Sequence, residues 1–391
     1  MRPASAPKSE LFRLLRAPAL IAWAVFIVAQ PFYVLPTGLP QPGDLLLLPL
    51  TPIVLHGWDR RLSPAALSTL KALLWFTLWV AIVDYAWAAL TGNWSLGGRD
   101  GIVLFPLYYL FNAIVVVLAL VMHRRFGDLF LRVTIYTLGF VLAMLVVASV
   151  VMPSSSLRGS LFFANPNQLG YHALLTGCIV TVSQRRLALS SLNVGVTLAA
   201  CAYLALLSAS RSSVAGVAIL VLMVVFTNLR VIVLASLAAI VVLQMGGPIA
   251  RGIDASEQRV LNQQMPHLSF FEQRGYDRLV NNKQYLLLGA GEGANSRFKE
   301  TTAIGAAEIH SSVATLLFCY GVVGTLLFGV FAWRMLRGAG LRASLMLVPP
   351  LLYTFAHQGM RFTMLWILVA VFIAIKRPPR PVHRAMQLTA P

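Results

Sequence analysis

The fold is decided by residues 101–122, GIVLFPLYYLFNAIVVVLALVM, a run that contains no charged side chain. Arg124 and Arg125 follow it, and a second apolar run at 130–151 carries one charged residue, Arg132, near its start. About 20 consecutive apolar residues are enough for a helix to cross the hydrocarbon core of a bilayer. The two runs therefore predict a pair of transmembrane helices joined by a short basic turn.

The same pattern recurs along most of the 391 residues. Hydrophobic residues make up 58% of the chain and charged residues only 11%, a balance that excludes an ordinary soluble domain. The second, sixth and eleventh of the predicted spans are short, so the sequence predicts ten to twelve crossings. The twelve candidate spans are 18–34, 44–56, 69–90, 101–122, 130–151, 168–182, 190–208, 211–227, 230–247, 310–333, 343–356 and 361–376.

The basic residues alternate between the two sides of this layout. With twelve spans, most of the 31 Lys and Arg residues fall on the side that carries the N-terminus, as expected for the cytoplasmic side. The net charge of +18 is thus explained by loops between spans, and no basic run interleaved with aromatic residues suggests nucleic-acid binding. The pattern predicts a multi-pass protein of the bacterial inner membrane with both termini in the cytoplasm.

This layout gives an all-α, polytopic membrane protein with about twelve transmembrane helices and one large, partly helical periplasmic loop. Within the loop, apolar residues recur from about 267 to 288 at spacings that predict an amphipathic helix, and the Gly-rich turn Gly289–Gly293 follows it. The predicted regions are 1–247 for spans one to nine, 248–309 for the loop, 310–376 for spans ten to twelve and 377–391 for a cytoplasmic tail.

Cofactor and metal signals are missing from the sequence. Cys178, Cys201 and Cys319 lie in apolar segments without metal-ligand spacing, and neither an HExxH nor a DxD motif occurs. The turn Gly289–Gly293 lacks the Lys and the preceding strand of a nucleotide-binding loop. We therefore expect no metal, no nucleotide and no other cofactor, which disfavours ATP-driven transport.

Four arginines, Arg99, Arg158, Arg211 and Arg361, stand in short loops on the predicted outer side, where basic residues are usually rare. Arg158, Arg211 and Arg361 are therefore candidates for binding an anion, with pairing to lipid phosphate as the alternative. Arg211 is the strongest candidate, because it lies in SASRSS at 208–213, between two spans. Ser210 could cap the following helix, whose free N–H groups would help an arginine to bind phosphate.

The long loop adds a second pair of arginines. Arg274 and Arg278 are four residues apart, so on one helix both guanidinium groups would leave the same face and could clamp a diphosphate. The alternative is pairing with Asp277 or Glu272 on a solvated surface.

Two further short segments carry polar residues suited to a site. His310 lies where the loop meets the next span, and its near-neutral pKa suits it to take a proton from an acceptor hydroxyl, with Glu308 as an alternative base. Asn165, Asn167 and Gln168 open the sixth span, where they could either contact a ligand or serve as turn and capping residues.

These segments, in this order, resemble the O-antigen ligase and polymerase superfamily. The resemblance covers about residues 155–330, and the twelve-span layout extends it to the whole chain. The matching segments are Asn165–Asn167, Ser210–Ser212, Arg274, the turn Gly289–Gly291 and Glu308–His310.

The resemblance implies which residues would act. Members of this family carry essential arginines and a histidine, and those catalytic roles would fall here to Arg211, Arg274 and His310. The family's loop arginine matches either Arg274 or Arg278, because the aromatic residue that commonly follows it has no clear counterpart. The remaining candidates for contacting diphosphate or substrate are Arg278, Arg158, Asn165, Asn167, Gln168 and Glu308.

The resemblance also implies a reaction. Family members take a glycan from undecaprenyl diphosphate at the periplasmic face, and a ligase passes it to lipid A-core. We expect such an O-antigen ligase, inverting and metal-independent. A polymerase that uses a second lipid-linked repeat unit is the first alternative, and another lipid-linked oligosaccharide transferase is also compatible. A glycolipid transporter is the second alternative, although the spans are poor in charge, with Asp84 the clear exception.

Overall fold

The computed structural model describes residues 18–35, 39–56, 62–96, 101–152, 158–225, 268–305 and 307–376, and these residues form helices and loops without a strand. The first nine helices are α1 Pro18–Ala29, α2 Pro42–Leu45, α3 Leu47–Leu55, α4 Pro64–Thr91, α5 Leu104–Phe126, α6 Asp128–Val151, α7 Pro166–Leu187, α8 Ser191–Ser208 and α9 Arg211–Val225. Two short helices lie within the long loop, α10 Phe270–Gln273 and α11 Asp277–Asn281. The helices after the loop are α12 Ser312–Cys319, α13 Gly321–Leu336, α14 Leu341–Leu345, α15 Val348–Ala356 and α16 Thr363–Ile375.

The helices confirm an α-helical membrane protein. Four of them, α4, α5, α6 and α8, are long and apolar enough to cross a bilayer. Shorter apolar helices occupy the first, second, eighth, tenth, eleventh and twelfth predicted spans, whereas the sixth lies in the 22-residue helix α7, which is not among these apolar helices. The predicted span at 230–247, residues 248–267 of the loop and the tail at 377–391 lie outside the described residues, so the count of about twelve spans stays a prediction.

Several predicted spans are divided into two helices by a local backbone feature. The predicted span 310–333 is split between α12 and α13 at Gly321, whose φ of +65° is easy only for glycine. The predicted span 343–356 is likewise divided, at Met346 and Leu347, where two proline residues then open α15. Proline is tolerated in the first turn of a helix because the N–H it lacks has no partner there.

Helix α7 is the centre of the described bundle. All ten residues from 171 to 180 are buried, and α7 packs against α8, α9 and α16. Gly170 makes one of these approaches possible, because a Cβ there would lie 2.5 Å from the Ser208 hydroxyl oxygen. The start of α7, the end of α8 and the start of α9 therefore meet at the same end of the bundle.

The prediction of one amphipathic helix across 267–288 is wrong. The chain instead forms the short helices α10 and α11, followed by a 3₁₀ turn at Lys283–Tyr285. Gly275 separates the two helices with a φ of +80°, a conformation that ends a right-handed helix. Arg274 and Arg278 therefore do not share a helix face, and the geometry expected for a joint diphosphate clamp is not formed.

The Gly-rich turn attaches the loop to the membrane helices. Gly289, Gly291 and Gly293 all have positive φ, and a Cβ on Gly291 would lie 3.1 Å from the carboxylate of Asp84 in α4. The Trp87 indole N–H donates to the Gly289 carbonyl at 3.0 Å. The turn thus lies directly against α4, and only glycine allows so close a backbone approach.

Candidate functional site

A chain of hydrogen bonds joins Arg158, Asn167 and Tyr353 where α7 begins and α8 and α15 end. Arg158 donates from Nη2 to Asn167 Oδ1 at 2.8 Å and from Nε to the Ser208 carbonyl at 3.1 Å. The Tyr353 hydroxyl donates to the Asn167 carbonyl at 3.1 Å. Arg158 and Asn167, both predicted from the sequence, therefore belong to one cluster, which Tyr353 extends.

The serine-rich turn places Arg211 beside this cluster. Arg211 is the first residue of α9 and its side chain is exposed, three residues from the Ser208 carbonyl that Arg158 binds. Ser210 and Ser213 beneath it are buried, and the Ser213 hydroxyl donates to Ser210 Oγ at 3.1 Å. The N-terminus of α9 and the Arg211 guanidinium are thus presented together at the surface, an arrangement that favours an anion.

Arg274 and His310 form the loop side of the same region. The His310 N–H donates to the Arg274 carbonyl at 3.3 Å, so the two segments are joined through their backbones. The Arg274 guanidinium lies over the Phe270 ring at 5.7 Å, and its positive charge, like that of Arg158, acts on the Tyr353 hydroxyl. The Phe270 ring beneath Arg274 in turn stacks on Phe355 of α15, two residues from Tyr353.

Arg278 has a different environment from Arg274. Its side chain is only 1% exposed, and it donates to Asn295 Oδ1 at 2.9 Å and to the Ala307 carbonyl. It also lies over the Phe298 ring at 5.1 Å. These contacts join α11 to residues 295–307 of the loop and engage the Arg278 guanidinium, so the geometry favours Arg274 over Arg278 as the loop arginine that meets a ligand.

The two remaining polar residues at the start of α7 have mainly local contacts. Asn165 caps the helix, because its side chain accepts a hydrogen bond from the Gln168 N–H at 3.1 Å. Gln168 itself has a buried Oε1 with no hydrogen-bond partner among the described residues. The capping alternative thus describes Asn165, whereas Asn167 is turned towards Arg158.

An exposed aromatic cluster borders Arg274. Phe270, Phe271, Tyr276 and Phe355 contact one another, with ring centroids 5.4 to 6.4 Å apart. Phe355 lies in the last turn of α15, whose Leu351 is 59% exposed, so this aromatic surface continues into an exposed apolar side of the helix. An apolar chain lying on this surface would therefore lead towards the arginine.

Sequence reasoning missed a buried ion-pair cluster next to His310. Arg361 Nε lies 3.2 Å from Glu292 Oε2, and its Nη2 pairs with Glu308. The Arg361 guanidinium also lies over the Phe105 ring at 4.4 Å. Arg361, predicted as a possible anion ligand, therefore already binds two carboxylates of its own chain.

The cluster extends into the membrane helices. Glu292 Oε1 accepts a hydrogen bond from Gln358 at 3.2 Å and from the Tyr109 hydroxyl at 3.4 Å, while the Glu292 N–H donates to Asp84 at 2.7 Å. Asp84 is fully buried in α4. Asp84, the exceptional charged residue within the predicted spans, thus accepts a hydrogen bond that fixes the Gly-rich turn.

Burial and neighbouring charges shape the acid–base properties of the site. Burial raises the pKa of Glu292, opposed by the nearby Arg361 charge. Burial alone would lower the pKa of Arg361, but Glu292 and Glu308 together hold it well above its ordinary value. The pKa of His310 is lowered by partial desolvation of the imidazole, although the residue reaches the surface; Glu308 opposes this, and the positive charges of Arg274, Arg361 and Arg278 add to it. A neutral imidazole at neutral pH follows, as a proton acceptor requires.

Among the described residues, no group of three or more His, Cys, Asp and Glu side chains is arranged to hold a metal ion. The region carries several guanidinium groups, among them those of Arg158, Arg211 and Arg274. Guanidinium groups bind anionic groups such as phosphate, and His310, joined to Arg274 through the backbone, is a candidate base in the same region. No protein-family model matches the sequence, and no curated protein is similar to it at a significant level.

Proposed function

We propose that the protein is a glycosyltransferase of the O-antigen ligase type. Its donor would be a glycan on undecaprenyl diphosphate, its acceptor lipid A-core, and its site the outer face of the bacterial inner membrane. The observation that carries the proposal is the gathering of Arg158, Arg274 and His310 around the end of α15, with Arg211 on the adjoining turn. The resemblance of the same segments to the O-antigen ligase and polymerase superfamily supports it.

The arginines would act on the leaving group. When the bond between the anomeric carbon and the diphosphate oxygen breaks, the electron pair stays on the diphosphate, whose negative charge must be stabilised. Guanidinium groups can do this through paired hydrogen bonds to phosphate oxygens. Arg211 and Arg274 are assigned to this role, and Arg158, fixed by Asn167, supports the same binding region.

His310 would act on the acceptor. The acceptor hydroxyl forms the new bond to the anomeric carbon from the side opposite the diphosphate, which inverts the configuration. His310 takes the hydroxyl proton, and undecaprenyl diphosphate departs as the leaving group with the electron pair of the broken bond. No nucleotide is consumed, because the bond to the diphosphate is already activated.

The aromatic surface supports a lipid donor. Phe270, Phe271 and Phe355 are 39% to 55% exposed and connect the exposed apolar side of α15 with Arg274. An isoprenoid chain could lie along this surface while its diphosphate reaches the arginines. A soluble sugar nucleotide has no apolar chain that could contact such a surface.

The proposal is tested with purified full-length protein in lipid nanodiscs, using undecaprenyl-diphosphate-linked O-antigen and lipid A-core. We expect the wild-type protein to form glycosylated lipid A-core, and His310→Ala, Arg211→Ala and Arg274→Ala each to lose at least about 100-fold in rate. His56→Asn, at the opposite end of the bundle, is the matched control and should transfer normally. Wild-type rates in all three alanine variants would reject the site.

The acceptor distinguishes a ligase from a polymerase. Both reactions use the same donor chemistry, so the arginines and His310 serve either one. Supplying the donor alone, without lipid A-core, separates the two: a polymerase would lengthen the lipid-linked glycan, whereas a ligase would leave it unchanged.

A further inference from the structure

The ion-pair cluster around Arg361 includes Glu308, which is two residues from His310 in the chain. The Glu308 side chain is 41% exposed, and it pairs with Arg361. Four charged groups act on the His310 imidazole: Glu308, Arg274, Arg361 and Arg278. Glu308 is the one anion among them, so its partner decides how strongly it acts on the histidine.

Arg361 is held in place independently of Glu308. On its buried side Glu292 lies 3.2 Å away and the Phe105 ring 4.4 Å away, and the Arg361 carbonyl accepts a hydrogen bond from Asn112 at 3.4 Å. Glu292 is in turn fixed by Gln358. Because the arginine is anchored on this side and Glu308 reaches the surface, Glu308 is the mobile member of the pair.

The segment that carries Arg361 is also fastened to the segment that carries His310. The Ser312 hydroxyl donates to Gln358 Oε1 at 2.8 Å and accepts from the Gly359 and Met360 N–H groups. The Ser312 N–H donates to the His357 carbonyl at 3.2 Å. These hydrogen bonds hold the backbone of residues 357–360 beside Ser312, so the segment that carries Arg361 lies next to the segment that carries His310.

We infer that Arg361 is a positioning residue for His310: by engaging the Glu308 carboxylate it prevents that carboxylate from pairing with the imidazole, and so keeps His310 neutral and able to take the acceptor's proton. This inference rests on the proposed function for the purpose it assigns, but the coupling it describes is a property of the protein alone. Arginine suits the task because its planar guanidinium binds two carboxylates at once, on two different edges.

Substitutions of Arg361 and Glu308 should change the pKa of His310 in opposite directions. Lysine at position 361 keeps the charge but is a single point donor, which the buried Glu292 would retain. Glu308 would then be released towards His310, and an anion near an imidazole favours its protonated form. Replacing Glu308 itself with Gln removes the anion and acts in the opposite direction.

The experiment is an NMR titration of the imidazole of His310 in full-length, histidine-labelled protein in detergent micelles. The signal of His310 among the seven histidines is identified by its loss in His310→Asn. We expect Arg361→Lys to raise the titration midpoint by about one pH unit, Glu308→Gln to lower it, and the double variant to titrate close to Glu308→Gln. Arg361→Gln should give the larger rise, and if it does not fold, Arg361→Lys decides alone.

Arg297→Lys is the matched control, because this arginine lies in the same loop over the Trp87 ring and donates to the Ala290 carbonyl. It should leave the His310 midpoint unchanged. A His310 midpoint in Arg361→Lys equal to that of the wild type would overturn the inference. So would a Glu308→Gln substitution that shifts the midpoint by the same amount in the wild type and in Arg361→Lys. The titration needs neither donor nor acceptor, so a shifted midpoint in a protein that transfers no glycan would reject the proposed function and leave the coupling established.

Discussion

Replacing Arg278 and Arg274 separately with Met distinguishes a structural arginine from a ligand-binding one in the same loop. The buried Arg278 guanidinium makes two close hydrogen bonds, to Asn295 at 2.9 Å and to the Ala307 carbonyl. Hydrogen bonds from a charged donor contribute roughly 1.5 to 3 kcal/mol each. Because Met fills much of the volume but leaves both acceptors without this donor, we expect Arg278→Met to destabilise the loop by about 3 kcal/mol.

That free energy corresponds to an increase of roughly 150-fold in the population of the opened loop, at about 1.4 kcal/mol for each factor of ten. Limited chymotrypsin digestion of detergent-solubilised protein measures it, since the loop contains Phe271, Tyr276 and Tyr285 as cleavage sites. Arg274→Met should raise cleavage less than Arg278→Met does, because Arg274 is partly exposed and its contact with the Phe270 ring contributes only about 0.5 to 1 kcal/mol.

Transfer activity should show the reverse order at low temperature, where the loop of both variants is closed. Arg274→Met should lose the reaction and Arg278→Met should retain much of it. If Arg278→Met were cleaved at the wild-type rate yet bound donor poorly, Arg278 would be the ligand and the assignment of the two arginines would be reversed.

Three further predictions follow from the geometry. The transfer rate should fall on acidification with a midpoint below 6.5, the ordinary value for histidine, because the pKa of His310 is lowered and only the neutral imidazole accepts a proton; a rate–pH profile checks this, and a midpoint above 6.5 would contradict it. Gly289→Ala should destabilise the protein by at least about 2 kcal/mol, because its φ is +102° and a Cβ there would meet the backbone of Cys319 and Tyr320. Thermal unfolding measures this, and Gly329→Ala, whose Cβ would have nothing within 4 Å, should be neutral or stabilising. Asn167→Ala should raise the donor KM about tenfold with little change in kcat, because Arg158 loses a charge-assisted hydrogen bond of 2.8 Å. A fall in kcat alone, measured by steady-state kinetics, would be inconsistent with a binding role.

The helices were predictable where the sequence pattern is local. The apolar runs at 101–122 and 130–151 correspond to α5 and α6, because a bilayer demands length and apolarity from each segment separately. The start of α7 was also predictable, since Asn165 followed by proline is a capping signal. These features depend on neighbours within one or two turns.

The long loop was less predictable, because its shape depends on partners far away in the chain. A spacing of four residues suggested that Arg274 and Arg278 share a helix face, but Gly275 ends the helix between them. The Gly-rich turn was recognised as a turn, yet nothing local indicates that it lies against Asp84, more than 200 residues earlier. Helical periodicity alone cannot reveal such an interruption.

The cluster of Arg361, Glu292 and Glu308 was missed for the same reason. Arg361 stood out as a basic residue on the predicted outer side, and an external ligand was the natural interpretation. Its partners lie 69 and 53 residues earlier in the chain, in a segment whose acidic residues look scattered in the sequence. An unusual charge in a sequence indicates that an opposite charge is needed, but only the fold shows whether the protein supplies it.

The proposed transfer is tested most directly by following undecaprenyl diphosphate release from a lipid-linked O-antigen donor by the purified full-length protein in nanodiscs, with lipid A-core as acceptor and with EDTA present. The account predicts release that matches glycosylation of the acceptor one for one, persists in EDTA and is lost in His310→Ala. Failure of the wild-type protein to release undecaprenyl diphosphate from such a donor, or release at the wild-type rate by His310→Ala, would contradict it.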